Sequence, residues 1–500
     1  MKNKELKIGA ALSYILIFIN TLYGFVLTPF ILSQIGNSEF GVYKAIGSLT
    51  ATMMILDFGI GSTIQRYTAK FLVDKKYENI KQFYFMSVLQ GVFIVSFILI
   101  VSTGIYYSLD ILYGNSFTSF ELQRAKQIFV LLVASMCLHV FDRIFQGLIS
   151  GHNRFIFTNT TKILSILTRT ILLLTVLPVF KNSIAIVSIT LFLDGIVLIA
   201  SIVYIRTKLK IELKIGRWDK ILFIESFKYT LALFVQSIVT QITSNSDNVI
   251  IGAIKGPELV TIYSFGLLIF GMFQSLSSSI SELLLPTIME LIKKDESKHK
   301  LIRFIEKVGR FQFTLIGAAF IAFILFGKNF VILWLGEEFI DVYMITIILM
   351  IPSLWELSTN SFLAILRALN LLKFRTIILI LTALINIVTT IIGVYYFGYI
   401  TAAIATAISV LLNIICLNIY YCKKIKINSF KVFFKSIFVV TLCLIPPALV
   451  SIILNQVLPE TWFAFVIKAV VFCLIYALML IVFPYKQEFI NIITKFKKNN

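Results

Sequence analysis

Charged residues, histidine and cysteine are scarce in this chain of 500 residues, and each scarcity excludes a class of protein. Only 14% of the residues are charged and 58% are hydrophobic, so a water-soluble domain of this length could not cover its surface. The five cysteines lie in or beside apolar runs with no metal-ligand spacing, which excludes a disulfide framework and a zinc site. No Walker loop, HExxH motif or Ser/His/Asp set occurs, so we expect neither a metal nor an enzyme.

Long apolar runs fill the chain instead, and about fourteen of them have the roughly 20 residues that a helix needs to cross a bilayer. Backbone polar groups cannot stay unpaired in lipid, so runs of this length are expected to be helical. The sequence therefore predicts an all-α polytopic membrane protein with helices near 9–34, 45–70, 82–107, 125–149, 157–180, 184–206, 228–254, 260–288, 309–327, 342–366, 376–397, 400–421, 433–455 and 463–484.

Basic residues crowd into every second gap between the apolar runs. Most of the 45 lysines and arginines fall there, and the positive-inside rule then places both termini in the cytoplasm. The net charge of +20 lies on these loops, where anionic lipid headgroups attract it, so membrane lipids are expected partners and nucleic acid is not.

The two halves of the chain resemble each other. A shift of 220 positions aligns Gly36 with Gly256 and Tyr43 with Tyr263, in the turn after the first helix of each half. We interpret this as a duplicated six-helix unit in parallel orientation, forming two pseudo-symmetric lobes around a central cavity. The predicted organisation is an N-terminal lobe over 1–215, a C-terminal lobe over 216–425, and two extra helices with a cytoplasmic tail over 426–500.

Ionisable residues at membrane depth are costly unless they have an ion-pair partner, contact water or serve a function. Arg169 is the sharpest such signal, because a guanidinium stays charged and its fork of donors matches phosphate oxygens. The alternative is that Arg169 only pairs with Asp57 or Asp194 to hold helices together. For Arg66 and Arg143, nearer the cytoplasmic side, snorkelling to the interface is the competing interpretation.

The seventh predicted helix carries a polar stripe. Ser237, Gln241, Asn245 and Asn248 share one helical face, with Asp247 beside it. Such a stripe either lines a water-filled cavity or forms hydrogen bonds with neighbouring helices. Glu356, deep in the tenth predicted helix, could face the same space.

The first seventy residues carry a family resemblance. DFGIGS (57–62) lies in mid-membrane with no strand before it, so it indicates close packing or a bend and no nucleotide site. Together with the turn EFGVYK (39–44), the segment 48–70 resembles the pattern of the oligosaccharidyl-lipid flippase branch, the polysaccharide biosynthesis proteins. That branch belongs to the superfamily that also contains the multidrug and toxin exporters. GHNRFIFTN (151–159) and the segment 247–264 resemble further parts of the family.

The resemblance implies a flippase that works by alternating access. Its cargo would be an oligosaccharide on a polyprenyl (undecaprenyl) diphosphate, moved to the outer leaflet of a bacterial or archaeal cytoplasmic membrane for O-antigen, capsule or related polymers. Carried over by position, it implies Arg143 and Arg169, with Arg66 at the inner gate, as diphosphate ligands. In a flippase the polar face of the seventh helix, with Gln241, Asn245 and Asn248, would contact the sugars. It also implies a working monomer, without a cofactor, alongside other polysaccharide-assembly membrane proteins.

The chain differs from family members with a strongly cationic cavity, because carboxylates at membrane depth outnumber arginines at membrane depth. This leaves room for coupling to H⁺ or Na⁺, with Asp57, Asp194, Asp247 and Glu356 as candidate ion-binding residues. Two other functions stay open: a cation-coupled multidrug exporter of the sister branch, and a membrane polysaccharide polymerase or glycosyltransferase. The extra helices count against the exporter, and the short outer gaps count against the enzyme.

Overall fold

The computed structural model describes residues 2–57, 59–75, 77–211, 224–226, 241, 245–293, 298–369 and 371–483. Within this part of the chain, thirteen helical spans are long and apolar enough to cross a membrane, and no strand occurs. They correspond to thirteen of the fourteen predicted runs. The remaining one, 228–254, lies outside the described residues except at 241 and over its last ten positions. The prediction of an all-α polytopic membrane protein is confirmed.

The first of two compact units spans Met1–Thr261. Within this unit α5 is the central helix, because it packs against α2, α3, α4, α6 and α7, while α1 packs along α6. The helices of this unit are α1 (Lys2–Ile35), α2 (Asn37–Met53), α3 (Ile60–Val73), α4 (Tyr77–Tyr113), α5 (Ser119–Gly151), α6 (Phe155–Phe180), α7 (Ser183–Tyr204) and a helical segment over 245–255, here called α8.

The second membrane span is broken, where the sequence predicted one helix over 45–70. A short 3₁₀ turn, Met54–Asp57, follows α2, and Gly59 begins α3 with φ of 68°, a left-handed conformation that glycine adopts without steric cost. Gly61 then packs on α5, where the Cβ of any larger residue at Gly147 would lie 2.5 Å from the Gly61 carbonyl oxygen. The bend and the close packing that we expected at 57–62 are both confirmed.

The α8 segment packs within the first unit. Asn248 Nδ2 donates to Ser48 Oγ at 2.9 Å, and Ser116 Oγ donates to the Gly252 carbonyl at 2.7 Å. The sequence placed this segment at the start of a lobe over 216–425. The predicted lobe boundary is based on the internal sequence repeat, whereas the compact units are defined by which residues pack together. The lobe boundaries therefore stay a prediction.

The second unit spans Ile262–Asn500 and repeats the packing of the first. The contacts of α4 with α5, α5 with α7 and α6 with α7 recur as α10 with α11, α11 with α14 and α13 with α14. The two last helices pack together, and both also contact α10. The helices are α9 (Pro257–Lys293), α10 (Lys298–Leu335), α11 (Asp341–Ser358), α12 (Ser361–Ala368), α13 (Leu372–Phe397), α14 (Ile400–Lys424), α15 (Ser429–Val457) and α16 (Trp462–Val482).

The predicted tenth helix, 342–366, is also interrupted. It divides into α11 and α12 at Thr359 and Asn360. Ser358 and Thr359 donate their hydroxyls back to the carbonyls of Leu354 and Trp355, at 2.6 and 2.9 Å. Side-chain bonds of this kind compete with the helical ladder and bend helices, which hydropathy alone does not register.

Glu39 ties three helices of the first unit together. It lies in the first turn of α2 and accepts hydrogen bonds from the Ser183 amide, at 3.0 Å, and from the Ser183 hydroxyl at the start of α7. Arg124 Nε of α5 is 3.0 Å from its carboxylate, and the Glu39 side chain is only 13% exposed.

We therefore expect Glu39→Ala to lower the free energy of unfolding by about 3 kcal/mol, because it leaves a largely buried guanidinium without its ion-pair partner and an amide without its acceptor. The midpoint of thermal unfolding of the detergent-solubilised protein measures this. Glu78→Ala is the matched control, since Glu78 is 84% exposed and its partner among the described residues is Lys81 one turn away. Equal midpoints for the two variants would contradict the assigned role of Glu39.

Candidate functional site

A cavity of about 560 Å³ in the first unit lies among α1, α3, α5, α6 and α7. Its wall carries three basic side chains, one histidine and two carboxylates, and most of its other side chains are uncharged and polar. The ionisable wall residues are Arg143, Lys162, Arg169, His139, Asp142 and Asp194.

One face of α6 forms the basic part of this wall. Thr158, Lys162, Ser165 and Arg169 recur at intervals of three or four residues, so they lie on the same side of the helix. Lys162 and Arg169 are two turns apart, about 10 Å along the axis, and both have long side chains that can converge on one anion between them. Arg169 lies near the middle of α6, at membrane depth.

Arg169 is only loosely engaged. Its Nη2 is 4.0 Å from Asp194 Oδ1, the guanidinium interacts with the Tyr23 hydroxyl, and Nε has no hydrogen-bond partner in the described part of the chain. The ion pair with Asp194 that one interpretation of Arg169 expected is present, but it is long. A long ion pair is also compatible with the other interpretation, in which Arg169 binds phosphate. Several of the five donors of the guanidinium are left for a ligand.

Asp194, 7% exposed on α7, is held by two residues of α5. Ser135 Oγ donates to Oδ2 at 2.5 Å, and His139 Nε2 is 3.3 Å from the same oxygen. Asp194 is thus shared between α5 and the guanidinium of α6. Because Asp194 carries the negative charge nearest to Arg169 in the cavity, it can compete with an anionic ligand for that side chain.

Asp142 forms a second polar group at the cavity wall. Ser201 Oγ donates to its Oδ1 at 3.1 Å, Gln146 Nε2 lies 3.5 Å from the same oxygen, and Lys162 acts on it electrostatically. His139, Lys162 and Gln146 were not predicted as site residues. Ser135, His139, Asp142 and Gln146 recur every three or four residues, and this polar face of α5 was the signal that could have found them.

The predicted arginines take different places. Arg143 lines the cavity and is exposed on α5, as Arg169 lines it from α6. Arg66 is exposed on α3 and does not line this cavity, although its neighbour Gln65 does. The side chain of Asp57 lies outside the described residues.

Of the polar stripe on the seventh predicted helix, the described residues Gln241, Asn245 and Asn248 do not line this cavity. Asn248 bonds to α2, as the helix-contact alternative expected, and Asp247 is 3% exposed. Asn245 Nδ2 donates to the carbonyl of Gln241 at 3.1 Å, and Ser237 lies outside the described residues.

Glu356 lies in the second unit, near the end of α11. Arg375 of α13 is close enough to act on its carboxylate electrostatically.

Two of three comparisons find known proteins that are similar to the chain. The sequence profile of the polysaccharide biosynthesis proteins matches residues 7–292. Among curated protein sequences, none is significantly similar. A structure of the lipid II flippase MurJ in an inward closed conformation is 15% identical, with a TM-score of 0.68 over 96% of this chain and 99% of that one.

Transporters of the multidrug MATE family share the same fold. An inward-facing MATE transporter of the MOP superfamily is 14% identical, with a TM-score of 0.60 over 80% of this chain and 92% of that chain. A eukaryotic MATE transporter is 12% identical, with a TM-score of 0.58 over 87% and 98%. At these identities the similarity establishes the fold, and it does not distinguish one cargo from another.

Proposed function

Since the chain belongs to the polysaccharide biosynthesis protein family, we propose that it is a flippase for polyprenyl-diphosphate-linked oligosaccharide units. By alternating access it moves these units from the inner to the outer leaflet of the cytoplasmic membrane. The units serve cell-surface polysaccharide assembly, for which O-antigen and capsule are candidates. The family and the fold are those of membrane flippases and transporters, so no covalent chemistry is required of the chain.

The observation that carries the proposal is the basic face of α6. A diphosphate is a compact anion, and Lys162 and Arg169 offer it charge-assisted hydrogen bonds from one side of the cavity. Burying such cations at membrane depth is costly unless they serve a ligand or a partner. Arg169 has one carboxylate partner at 4.0 Å, which leaves the guanidinium available for phosphate oxygens.

Uncharged polar side chains around the basic face suit the sugars of the cargo. Asn20, Ser62 and Gln65 line the same cavity from α1 and α3. Sugars need hydrogen-bonding partners once they leave water, and such side chains provide both donors and acceptors. Arg143 is assigned to the diphosphate with Lys162 and Arg169, and Arg66 to the entry path.

Cation coupling is part of the proposal. Asp194 interacts with Arg169, so binding of H⁺ or Na⁺ at this carboxylate would change how firmly the guanidinium is held. Glu356, Asp57 and Asp247 stay further candidates. We assign both termini to the cytoplasm, and a monomer as the working form.

A cation-coupled multidrug exporter is the second candidate function. The observation in its favour is that two carboxylates, Asp142 and Asp194, lie in the cavity wall, where they could hold a proton or a cationic drug. The transport experiment separates the two functions.

The test is transbilayer movement of a fluorescent polyprenyl-diphosphate oligosaccharide in vesicles reconstituted with the protein. We expect movement above that of protein-free vesicles, read as label that becomes accessible to a membrane-impermeant quencher. Empty vesicles and vesicles with an unrelated membrane protein are the controls. No movement of several oligosaccharide cargos, together with efflux of cationic dyes, would reject the flippase in favour of the exporter.

A further inference from the structure

The α5 part of the cavity wall carries two hydrogen-bond acceptors, Asp142 and Gln146, beside the basic side chain of Arg143. Asp142 and Gln146 are one turn apart on α5, and both line the cavity. Ser201 and Gln146 both donate to the same carboxylate oxygen of Asp142, Oδ1. Within the described part of the chain, the other oxygen of Asp142 accepts no hydrogen bond. An ionised carboxylate that lines a cavity with one oxygen unused is a strong acceptor for a ligand.

The side-chain oxygen of Gln146, Oε1, is a second potential acceptor. Its Nε2 lies 3.0 Å from Ser201 Oγ and 3.5 Å from Asp142 Oδ1, and since a carboxylate only accepts, the amino group must face Asp142. The Oε1 atom is therefore turned away, and it is buried without a hydrogen-bond partner among the described residues. An unpaired buried carbonyl costs free energy, so a donor that comes within hydrogen-bond distance of Oε1 is favoured.

The two acceptors lie next to the basic face of α6. Lys162 is close enough to Asp142 to act on it electrostatically, so a diphosphate held by Lys162 and Arg169 has Asp142 as a near neighbour. The part of the cargo that follows the diphosphate is its first sugar. Hydroxyl and acetamido groups of a sugar donate hydrogen bonds, whereas a uronic acid brings a carboxylate that only accepts and carries negative charge.

We propose, on the basis of the proposed function, that Asp142 and Gln146 form the subsite for the sugar attached to the diphosphate. This sugar is uncharged and presents hydroxyl or amide N–H donors to Asp142 and Gln146. A uronic acid in this position is rejected, because its carboxylate would lie against Asp142, where like charges repel in a setting of low dielectric constant. The Asp142–Gln146 pair thus selects the cargo by the charge of its first sugar.

The experiment measures binding rather than transport, so that it does not depend on movement across the bilayer. The probes are two short-chain prenyl diphosphates, one carrying a neutral hexose and one the corresponding hexuronic acid, titrated onto the detergent-solubilised protein. We expect the acidic probe to bind at least about 10-fold more weakly, as one unfavourable charge contact predicts. Asp142→Asn, which keeps an oxygen for Ser201, should reduce this ratio to about 3-fold or less.

Gln146→Leu should weaken binding of the neutral probe about 10-fold, since it removes an acceptor for a sugar donor. Gln127→Leu is the matched control on the same helix, because Gln127 is exposed outside the cavity. Equal affinities of the wild type for the two probes, or an unchanged ratio in Asp142→Asn, would overturn the proposal. Should Gln146→Leu not fold, Asp142→Asn decides alone. Selective binding without movement in vesicles would reject the flippase and keep the subsite.

Discussion

Replacing Arg169 with alanine is expected to lower the rate of diphosphate-linked cargo movement by about 100-fold or more. The guanidinium can give two charge-assisted hydrogen bonds to phosphate, each contributing about 1.5–3 kcal/mol, and every 1.4 kcal/mol corresponds to a factor of ten. Arg169→Lys keeps the charge but loses the fork, so we expect an intermediate rate. The measurement is the vesicle assay with the labelled oligosaccharide. Arg206→Ala, which removes a basic residue exposed at the end of α7, controls for net charge.

A purely structural role for Arg169 predicts a different result. If the guanidinium served only to neutralise Asp194, then Asp194→Asn should remove the need for it, and the double variant should regain most of the wild-type rate. If Arg169 binds the diphosphate, the double variant stays as slow as Arg169→Ala. Restoration of movement in the double variant, with both variants folded, would remove Arg169 from the cargo path.

Replacing Gly41 with alanine is expected to cause the largest loss of stability. Gly41 is buried in α2, and an added Cβ would lie 1.8 Å from the carbonyl oxygen of Pro257. Neither helix backbone can be compressed by that amount, so α2 and the first turn of α9, which both belong to the first unit, must separate and lose their contact. We expect a loss of about 3 kcal/mol or more, seen as a lower midpoint of thermal unfolding in detergent.

Gly47→Ala in the same helix is the control for Gly41→Ala. A Cβ at Gly47 would meet no atom within 4 Å, so the substitution should be neutral or stabilise the helix slightly, by up to about 1 kcal/mol. A similar change in both variants would show that helix propensity, and not the approach to Pro257, accounts for the effect. Gly41 is the glycine of EFGVYK, so this contact gives part of the family pattern a physical reason.

Much of the fold could be predicted because lipid imposes simple constraints. Length and hydropathy determine a membrane helix, and they located thirteen spans of the described chain. The breaks depend on finer effects. Gly59 was recognisable as a bend. The interruption at Thr359 was not, because hydroxyls that bond back to carbonyls there do the same in unbroken helices of this chain.

The candidate site was predictable only in part. Arg169, Arg143 and Asp194 were found because a charge at membrane depth is conspicuous in an apolar run. His139 and Gln146 were missed because their importance comes from Asp194 and Asp142 beside them, and such contacts depend on how separate helices pack. Gln241 and Asn245 of the polar stripe do not line this cavity, and equal spacing along a helix does not reveal which neighbour that helix face contacts.

The crossing of Gly61 and Gly147 has a mechanical consequence. The two helices touch backbone to backbone, with no side chain between them that could change rotamer and absorb a displacement. We therefore expect α3 and α5 to move together, which keeps Ser62 and Gln65 close to Asp142 and Gln146. A change in the size of the cavity would then come from α1 and α6, which pack along each other. Lys162 and Arg169 would move with α6, while Arg143 stays with the acceptors of α5.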